Sequence, residues 1–510
     1  MKKIVFIPLD ERPCNLEYPL RLFKNRDDIT VVCPPKSILG KKKIPANIEQ
    51  VRKFIVDQIS GADILIFATE MLAYGGLLPS RIYSVTDSEA KVAAYRDYVI
   101  QLKKINPQLV ILASNLIMRT PRYSSNDEEP DYYGEYGAKI FRYGWLIDQK
   151  KREILSPAEL NELETIKKTV PQTYIYDYEQ RRAANLKINM ANMTLVKSKV
   201  IDYLAIPQDD SAPYGYTAMD QTVVYSAIKQ NRLQNRVGTY PGADETGYTL
   251  LARAVQIVNK RQYKIYPFFA SAVGQLQIPL YEDRPMVESV KSHILSAGAE
   301  IAATPTTADI ILAVNTPGKK MIEAREQLTN PDVTYDTFRN LRAFVSEISS
   351  YLATGKLVTV ADSAYANGGD LELISMLDEQ NLLNQIDVYR AWNTNCNTVG
   401  SAIGSTIIQF DLPQEIRFQE LINNLIDDVF YQTIVRKMIT DDYLPKYNMT
   451  YFDLKGDADQ VATQAEELLH KSTARYLRKT LMGMSNYQIG IEFPWNRMFE
   501  VNCQLNSMED

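Results

Sequence analysis

Short apolar runs alternate with amphipathic stretches along most of the chain. The runs have the length of strands, and the segments between them carry apolar residues at helical spacing, as in 47–60 and 89–104. This alternation is typical of βα units that build a largely parallel sheet. The predicted strands cover residues 3–9, 29–33, 63–69, 109–115, 201–207, 235–240, 264–270, 308–315, 356–361 and 386–391.

The pattern predicts an α/β fold and leaves two architectures open. The first eight strands fit a (β/α)8-like barrel over about 1–320, and they fit a doubly wound parallel sheet equally well. Residues 321–412 would add a second α/β segment that completes the same rim, and 413–510 would form a mainly helical C-terminal cap. More than one domain is expected for a chain of 510 residues.

The longest interruption of the strand pattern is the stretch 121–200. It opens with a polar, tyrosine-rich segment, PRYSSNDEEPDYYGEYG, which suits an active-site insertion or lid as well as a plain surface loop. The letters SPAEL then predict a helix start, with Ser156 as N-cap, Pro157 in the first turn and Glu159 completing a capping box. Two polar helices are expected from there to about residue 198.

Composition narrows the class of protein. The chain is 45% hydrophobic and 23% charged, and its formal net charge of −5 gives no reason to expect a nucleic-acid or membrane partner. No apolar stretch approaches the ~20 residues that span a bilayer. The first apolar run meets charged residues too early for a signal peptide, so we expect a cytoplasmic protein. The sequence makes no prediction of oligomeric state.

Cysteine and histidine are scarce. The four cysteines are scattered without Cys-x-x-Cys spacing, which argues against a disulfide framework or a structural zinc site. The only histidines, His293 and His470, are predicted to lie at the surface. Acid–base chemistry would therefore depend mainly on carboxylates, tyrosines or lysines, and no cofactor is predicted.

Acidic and amide side chains recur where the predicted strands end. Parallel α/β folds bind ligands beyond the carboxyl ends of their strands, so these side chains are expected to share one rim. Any single acid could instead cap the next helix, but their joint occurrence favours a site. The predicted catalytic residues are Asp209, Asp210, Asp244 and Glu245, and the predicted substrate-binding residues are Asp10, Glu11, Arg12, Glu70, Tyr74, Arg81, Asn115, Arg119, Asp362, Asn367, Trp392, Asn393 and Asn397.

The adjacent acids Asp209 and Asp210 are the centre of this prediction. Consecutive side chains of a strand point to opposite faces, so both acids reach one pocket only if the chain turns there, as the following Ser-Ala-Pro permits. Repulsion and partial burial would then raise one pKa and leave the other group ionised. With Asn side chains and Trp392 to bind a sugar, the pair predicts glycosidic-bond chemistry. Asp210 would be the general acid, and Asp209 would orient the substrate or act as base.

Five motifs occur in order between Leu9 and about Gly404: PLDERPCN, AYGGLLPSR, PQDD, YPGADE and AWNTNCNTVG. In this combination the chain resembles a bacterial family known only as a domain of unknown function, with motifs of the types LDxRP, YGGLxxSR, DD, GADE and WNTxxNT. That family implies no activity. The Asp pair is loosely similar to the pair in hexosaminidase-like glycosidases, which implies that Asp209 steadies an acetamido nucleophile and Asp210 is the general acid.

The sequence therefore predicts a carbohydrate-active enzyme, a glycoside hydrolase acting on a small carbohydrate, which would be N-acetylated if the similarity at the Asp pair holds. Two alternatives stay open. One is an Mg²⁺- or Mn²⁺-dependent hydrolase or transferase, because clustered carboxylate and amide oxygens suit these ions. The other is a non-enzymatic protein that binds a sugar or another small ligand.

Overall fold

The computed structural model describes residues 1–84, 86, 88–481 and 487–507, and its fold is mixed α/β. Its strands are β1 (Lys2–Ile7), β2 (Ile29–Val32), β3 (Ile64–Ala68), β4 (Val110–Ser114), β5 (Tyr203–Gln208), β6 (Val237–Pro241), β7 (Lys264–Phe269), β8 (Glu300–Ile301), β9 (Ile310–Asn315), β10 (Leu357–Asp362), β11 (Val388–Arg390), β12 (Tyr487–Glu492) and β13 (Asn502–Ser507).

The α-helices of the described residues are α1 (Glu17–Arg21), α2 (Ile48–Ile59), α3 (Thr69–Tyr74), α4 (Leu77–Ile82), α5 (Ser88–Ile105), α6 (Tyr133–Arg152), α7 (Pro157–Thr169), α8 (Gln172–Lys197), α9 (Tyr216–Gln230), α10 (Thr246–Asn259), α11 (Met286–Ser296), α12 (Thr334–Thr337), α13 (Leu341–Ala353), α14 (Leu371–Glu379), α15 (Asn395–Gln409), α16 (Gln414–Asn424), α17 (Arg436–Met438) and α18 (Ala458–Tyr476). Two π-helices, Leu425–Val435 and Ile439–Tyr443, flank α17.

The strands form two parallel sheets and one antiparallel pair. The first sheet has six strands in the order β2-β1-β3-β4-β5-β6, and the second has five in the order β11-β10-β9-β7-β8. Every pairing within these two sheets is parallel. Strands β12 and β13 pair antiparallel with each other. The predicted α/β class is confirmed, and each of the ten predicted strands is present with bounds shifted by a few residues.

The barrel alternative does not describe this arrangement. The seventh and eighth predicted strands, 264–270 and 308–315, become β7 and β9, which pair with each other in the second sheet. In the described part of the chain the first sheet ends at β6, so the first eight predicted strands do not close on themselves. The doubly wound alternative, with helices between successive parallel strands, fits the observed fold.

The chain divides into two compact units, each built around one parallel sheet. The first unit consists of Met1–Glu11, Arg26–Leu250 and Tyr281–Asp283. The second consists of Arg12–Asn25, Leu251–Leu280 and Arg284–Asp510. The boundaries proposed from the sequence, near 320 and 412, both fall inside the second unit.

The stretch 121–200 forms a helical layer of the first unit. The predicted capping box is confirmed, because the Ser156 side chain accepts from the backbone of Glu159 and the Glu159 side chain accepts from the backbone of Ser156. A third helix, α6, starts at Tyr133, inside the segment expected to be a loop. Tyr133 and Ile140 lie two helical turns apart and are both fully buried, so the aromatic residues of this segment build a core.

The C-terminal region, 413–510, is mainly helical up to Tyr476 and then contains the strands β12 and β13. Residues 487–492 pair with 502–507, and Ile489 and Ile491 point into the core of the second unit. His293 is fully buried on α11 rather than exposed, while His470 is exposed as predicted. No helix among the described residues is long and apolar enough to cross a membrane.

Candidate functional site

The predicted residues of the first unit follow five neighbouring strands of one sheet. Asp10 and Glu11 follow β1, Glu70 follows β3, and Asn115 and Arg119 follow β4. Because all strands of this sheet are parallel, their carboxyl ends meet at one edge. The predicted site residues that belong to the first unit are Asp10, Glu11, Glu70, Tyr74, Arg81, Asn115, Arg119, Asp209, Asp210, Asp244 and Glu245.

The Asp pair lies in a turn directly after β5, which ends at Gln208. Asp210 has a φ of +41°, a left-handed conformation that is uncommon for a residue with a Cβ. Because the chain turns here, both side chains reach the same group of charged residues. Arg81 Nη2 lies 2.7 Å from Asp209 Oδ2, and Arg119 Nη1 lies 3.4 Å from Asp210 Oδ2.

Two glutamates of the 121–132 loop complete the cluster. Glu128 Oε2 accepts from Arg81 Nη1 at 3.2 Å and from Arg119 Nη2 at 2.6 Å. Glu129 Oε1 accepts from Arg81 Nη1 at 3.3 Å and from Arg119 Nε at 2.9 Å. Each arginine therefore joins both loop glutamates to one member of the Asp pair. We name this group of two arginines and four carboxylates, Arg81, Arg119, Glu128, Glu129, Asp209 and Asp210, the acidic cluster.

Sequence reasoning missed Glu128 and Glu129, although it singled out their loop as an insertion. The signal was present in the letters DEEP, where three acids precede a proline inside a tyrosine-rich stretch. The loop is held by lysines that come after β2. Lys42 Nζ bonds Asp127, and Lys43 Nζ donates to the carbonyl of Glu129 at 2.9 Å.

Burial governs the electrostatics of the acidic cluster. Burial raises the pKa of Asp209 above the usual range for aspartate, the Asp210 charge adds to this, and Arg81 opposes it. Burial also raises the pKa of Asp210, with Arg119 as the main opposing influence. The Asp210 side chain is 27% exposed and that of Asp209 12%, so Asp210 is the more accessible acid. The pair thus supplies carboxyl groups that hold protons at higher pH than ordinary aspartates.

Glu70 is a fifth acid beside the acidic cluster. Its Oε1 accepts from Asn115 Nδ2 and from the Leu116 backbone, both at 2.8 Å. Its Oε2 is buried and has no hydrogen-bond partner among the described residues. Burial raises the pKa of Glu70 to about 7, and the charge of Asp209 contributes. Glu70 is therefore able to exchange a proton near neutral pH.

Asn115 holds Glu70 in place through a hydrogen bond. Its Oδ1 accepts from Asn189 Nδ2 at 2.7 Å and from Asn192 Nδ2 at 3.1 Å, and both of these residues lie on the buried face of α8. Its Nδ2 donates to Glu70. Tyr74, predicted to bind substrate, is also buried, with its ring 4.5 Å from that of Tyr83.

Asp244 and Glu245 follow β6 in a tight turn. Glu245 Oε2 accepts from the backbone of Ala243 at 2.9 Å, so this carboxylate folds back over its own turn. A Cβ at Gly242 would lie 2.0 Å from Glu245 Oε1, so a larger residue there would displace the end of the Glu245 side chain. Both acids are almost fully buried. At β1, Glu11 Oε1 accepts from the backbone of Lys42 at 2.9 Å, which links β1 to the lysine-bearing loop.

The six other predicted residues belong to the second unit: Arg12, Asp362, Asn367, Trp392, Asn393 and Asn397. Asp362 ends β10, and its Oδ2 accepts from Tyr389 Oη and from the Asp370 backbone, each at 2.6 Å. Burial and the neighbouring Asp370 raise the pKa of Asp362 to about 6. The sequence predicted one shared rim, and the structure attaches these residues to the carboxyl edges of two separate sheets.

Most of these six residues have structural contacts in the second unit. Asn367 donates from its backbone to the Asn393 carbonyl at 2.6 Å and from Nδ2 to Glu323 at 2.8 Å. Both asparagines adopt positive φ, +61° and +62°, which suits turns. Trp392 is only 5% exposed, so its ring is not available as an open sugar platform in this conformation.

The remaining two residues, Asn397 and Arg12, also have structural contacts within the second unit. Asn397 Nδ2 donates to Thr394 Oγ1 at 2.9 Å at the start of α15. Arg12 Nη1 lies 3.2 Å from Glu500 Oε2, and its guanidinium stacks 4.7 Å from the centre of the Trp495 ring. Within the described residues no three His, Cys, Asp or Glu side chains are grouped so that they could hold a metal ion.

Comparison with known protein families assigns nearly the whole chain to one family. The family described as "Protein of unknown function (DUF4127)" matches residues 4–504, nearly the full length. The chain therefore belongs to this family, and the predicted resemblance to a domain of unknown function is confirmed. A search of curated proteins finds no match.

Proposed function

We propose that the protein is a cytoplasmic carbohydrate-active enzyme that hydrolyses glycosidic bonds, with Asp210 as general acid and Asp209 as base. One observation carries the proposal: two adjacent aspartates with raised pKa values lie at the carboxyl edge of a parallel sheet and differ in their arginine contacts. The proposal also agrees with the buried, proton-exchanging Glu70 next to them. Paired carboxyl groups with separate roles are what glycoside hydrolysis requires.

The roles follow from the contacts. The short contact with Arg81, 2.7 Å, favours the ionised form of Asp209, whereas Arg119 is 3.4 Å from the more exposed Asp210. Asp210 would donate its proton to the glycosidic oxygen as the bond from that oxygen to the anomeric carbon breaks. Asp209 would take a proton from the water that attacks the anomeric carbon. The products are a free sugar and an alcohol, and the two acids then exchange the proton through water.

The first test is hydrolysis of nitrophenyl and alkyl glycosides by the wild type and by Asp210→Asn. Removing a general acid is expected to cost about 10²–10⁴-fold in turnover. The loss should be larger for alkyl glycosides, because an alkoxide needs protonation to leave and nitrophenolate does not. Asp131→Asn is the matched control, since the Asp131 side chain is 98% exposed.

Circular dichroism of each variant separates a chemical defect from misfolding. Unchanged turnover of a folded Asp210→Asn enzyme would refute the assignment of the acid. Each assay is repeated with EDTA. Activity that EDTA abolishes would favour the Mg²⁺- or Mn²⁺-dependent alternative, and tight sugar binding without product would favour the binding protein.

A further inference from the structure

The second unit has a cavity of about 650 Å³ at the carboxyl end of β7. Its walls are 270–273, which directly follows β7, 335–342, which leads into α13, and two side chains of α14. The Ser271 hydroxyl donates to the Phe338 carbonyl at 2.5 Å and so ties the first wall to the second. Small-molecule sites of proteins measure roughly 300–1,000 Å³. The cavity is therefore large enough for a ligand.

The strand order of the second sheet places this cavity where α/β sheets bind ligands. β7 pairs with β8 on one side and with β9 on the other, so the chain crosses over β7 between β8 and β9. Doubly wound sheets bind ligands beyond the carboxyl ends of the strands at such a crossover. Arg339 of the cavity wall donates from Nη1 to Asn315 Oδ1 at 3.1 Å, and Asn315 ends β9. The cavity thus lies at the ends of both strands.

One nitrogen of Arg339 remains available in the cavity wall. Nε donates to the Tyr335 carbonyl at 2.7 Å. Nη1 is shared between Asn315 and Asp370, whose Oδ2 lies 2.6 Å away. Nη2 makes no hydrogen bond within the described residues, although the Arg339 side chain is only 1% exposed. A buried donor of this kind is satisfied by an acceptor on a ligand, and best by an anionic one.

Charged side chains of both signs line the mouth of the cavity without pairing with each other. Asp336, Arg342 and Glu372 are exposed, and none of the three forms an ion pair within the described residues. Burial raises the pKa of Glu372 above the usual range, and the charges of Asp370 and Asp336 add to this. Arg339 opposes the shift. Asp336 and Glu372 therefore form an acidic side, whereas Arg342 lies in the first turn of α13, where unpaired N–H groups add positive charge.

Exposed apolar side chains line the same cavity. Val273 and Phe338 are 48% and 39% exposed, and Met376 of α14 is half-buried. We name these three residues the apolar wall. A ligand with an apolar group would remove this surface from water, which favours binding.

We propose that this cavity binds a small zwitterion of the amino-acid type that has an apolar side chain. Its carboxylate lies against Arg342, Arg339 Nη2 and the start of α13. Its ammonium lies against Asp336 and Glu372, and its side chain covers the apolar wall. A plain anion would leave the two acids without a counter-charge, and a plain amine would leave Arg339 Nη2 without an acceptor. The inference does not rest on the proposed glycosidase function, because the proposed catalytic acids belong to the first unit.

The test uses phenylalanine, leucine and methionine, each with the amine that lacks its carboxylate and the carboxylic acid that lacks its amine. All nine are titrated into the full-length protein by calorimetry at pH 7, together with glycyl-phenylalanine. We expect one amino acid to bind about tenfold or more tightly than both of its analogues, since each analogue loses one charge-assisted contact. Tighter binding of the dipeptide than of phenylalanine would support the zwitterion and identify a peptide as its source. Equal affinity for an amino acid and its analogues, or no binding at all, would overturn the inference.

Two variants test the two ends of the ligand separately. Arg342→Gln should weaken the amino acid and the carboxylic acid but not the amine, and Glu372→Gln should weaken the amino acid and the amine but not the acid. Arg478→Gln and Glu347→Gln are the matched controls, because both residues are exposed in the second unit and lie outside the cavity walls. Circular dichroism checks that each variant is folded, and Asp336→Asn replaces Glu372→Gln if that variant is not. Wild-type affinities in both site variants would overturn the assignment of the cavity.

Discussion

At the scale of single residues, burial decides the pKa of Asp427. The Tyr18 hydroxyl donates its one proton towards the Val501 carbonyl at 2.7 Å and Asp427 Oδ2 at 3.0 Å, and its oxygen accepts from the Cys503 backbone at 3.0 Å. The hydrogen bond from Tyr18 favours the ionised form of Asp427, but burial is the larger influence. Burial, with the neighbouring Asp428 charge, raises the pKa of Asp427 to about 7.

This predicts a pH-dependent contribution to stability. The pKa of Asp427 is raised from 3.8 when unfolded to about 7 when folded, so its contribution is complete below about pH 4 and is lost as pH rises through 7. Asn at this position can accept the hydrogen bond from Tyr18 through its amide oxygen and cannot ionise. The free energy of unfolding of Asp427→Asn, measured in urea, should increase relative to that of the wild type as the pH rises from 5 to 8.

Asp441→Asn serves as the control, because Asp441 is half-exposed and pairs with Lys437 on the surface of the same helical run. The difference in free energy of unfolding between Asp441→Asn and the wild type should not grow with pH in this range. Equal destabilisation of Asp427→Asn at pH 5 and pH 8 would mean that Asp427 is ionised in the folded protein. The charged groups that act on Asp427 are Asp428 and Arg390, and neither variant replaces them.

Sequence reasoning reached the Asp209–Asp210 pair but not Glu128 and Glu129. The pair was recognisable because an apolar run ends in two acids, a local pattern. The two glutamates join the acidic cluster through Arg119, which is 9 and 10 residues away, and through Arg81, which is 47 residues from Glu128. These contacts have no local signal, because they depend on how the 121–132 loop folds.

At the scale of elements, the turn between α3 and α4 positions Arg81. Gly75 has a φ of +86°, and a Cβ there would lie 2.8 Å from the Ala46 backbone nitrogen. Gly76 follows with a φ of +131°. The glycines therefore serve both a left-handed turn and a close approach of two chain segments, which the motif AYGGLLPSR alone did not distinguish.

Gly75→Ala should accordingly destabilise the protein and weaken its activity. The left-handed conformation costs a residue with a Cβ about 1–2 kcal/mol, and the contact with Ala46 adds to this. Displacement of α4 would move Arg81 away from Asp209, so glycoside turnover should also fall. Gly61→Ala is the control, because a Cβ at Gly61 meets nothing within 4 Å. Equal melting temperatures of the two variants would contradict this account.

The helical C-terminal region contains a type of helix that the sequence pattern did not predict. The sequence predicted a mainly helical region over 413–510, and 418–439 is helical, but Leu425–Val435 within it is a π-helix. The wider helix places Asp427 and Asp428 inward together, and it packs against the glycines after β10: a Cβ at Gly369 would lie 2.7 Å from Val429. Hydrophobic pattern cannot separate α from π, because both bury one face of the same residues.

At the scale of the molecule, the order of segments in the chain differs from their grouping in space. Residues 12–25 belong to the second unit, although most of that unit begins at 251. Arg21 donates to both oxygens of Glu420, at 2.7 and 2.6 Å, and Tyr18 bonds Asp427 and Val501. The N-terminal segment thus supplies part of the core of a unit that lies mainly in the second half of the sequence.

The second unit is therefore expected to need this segment for full stability. A fragment covering 251–510 should unfold at lower urea concentration than the same fragment joined to 12–25 through a flexible linker. Hydrogen bonds to charged partners contribute about 1.5–3 kcal/mol each, so the difference should be readily measurable. Arg21→Gln in the joined fragment should remove part of the gain. Identical urea midpoints with and without 12–25 would refute the dependence.

The sequence by itself determined the α/β class, the ten main strands, the capping box and the family motifs, because each depends on neighbouring residues and on a local period. The tertiary structure decided what local patterns cannot contain. It distributed the strands over two open sheets, since β7 pairs with β9 and not with β6. It also recruited loop glutamates to Arg81 and Arg119, and it buried Trp392. Pairing and burial depend on contacts between distant segments, and only the folded chain brings those segments together.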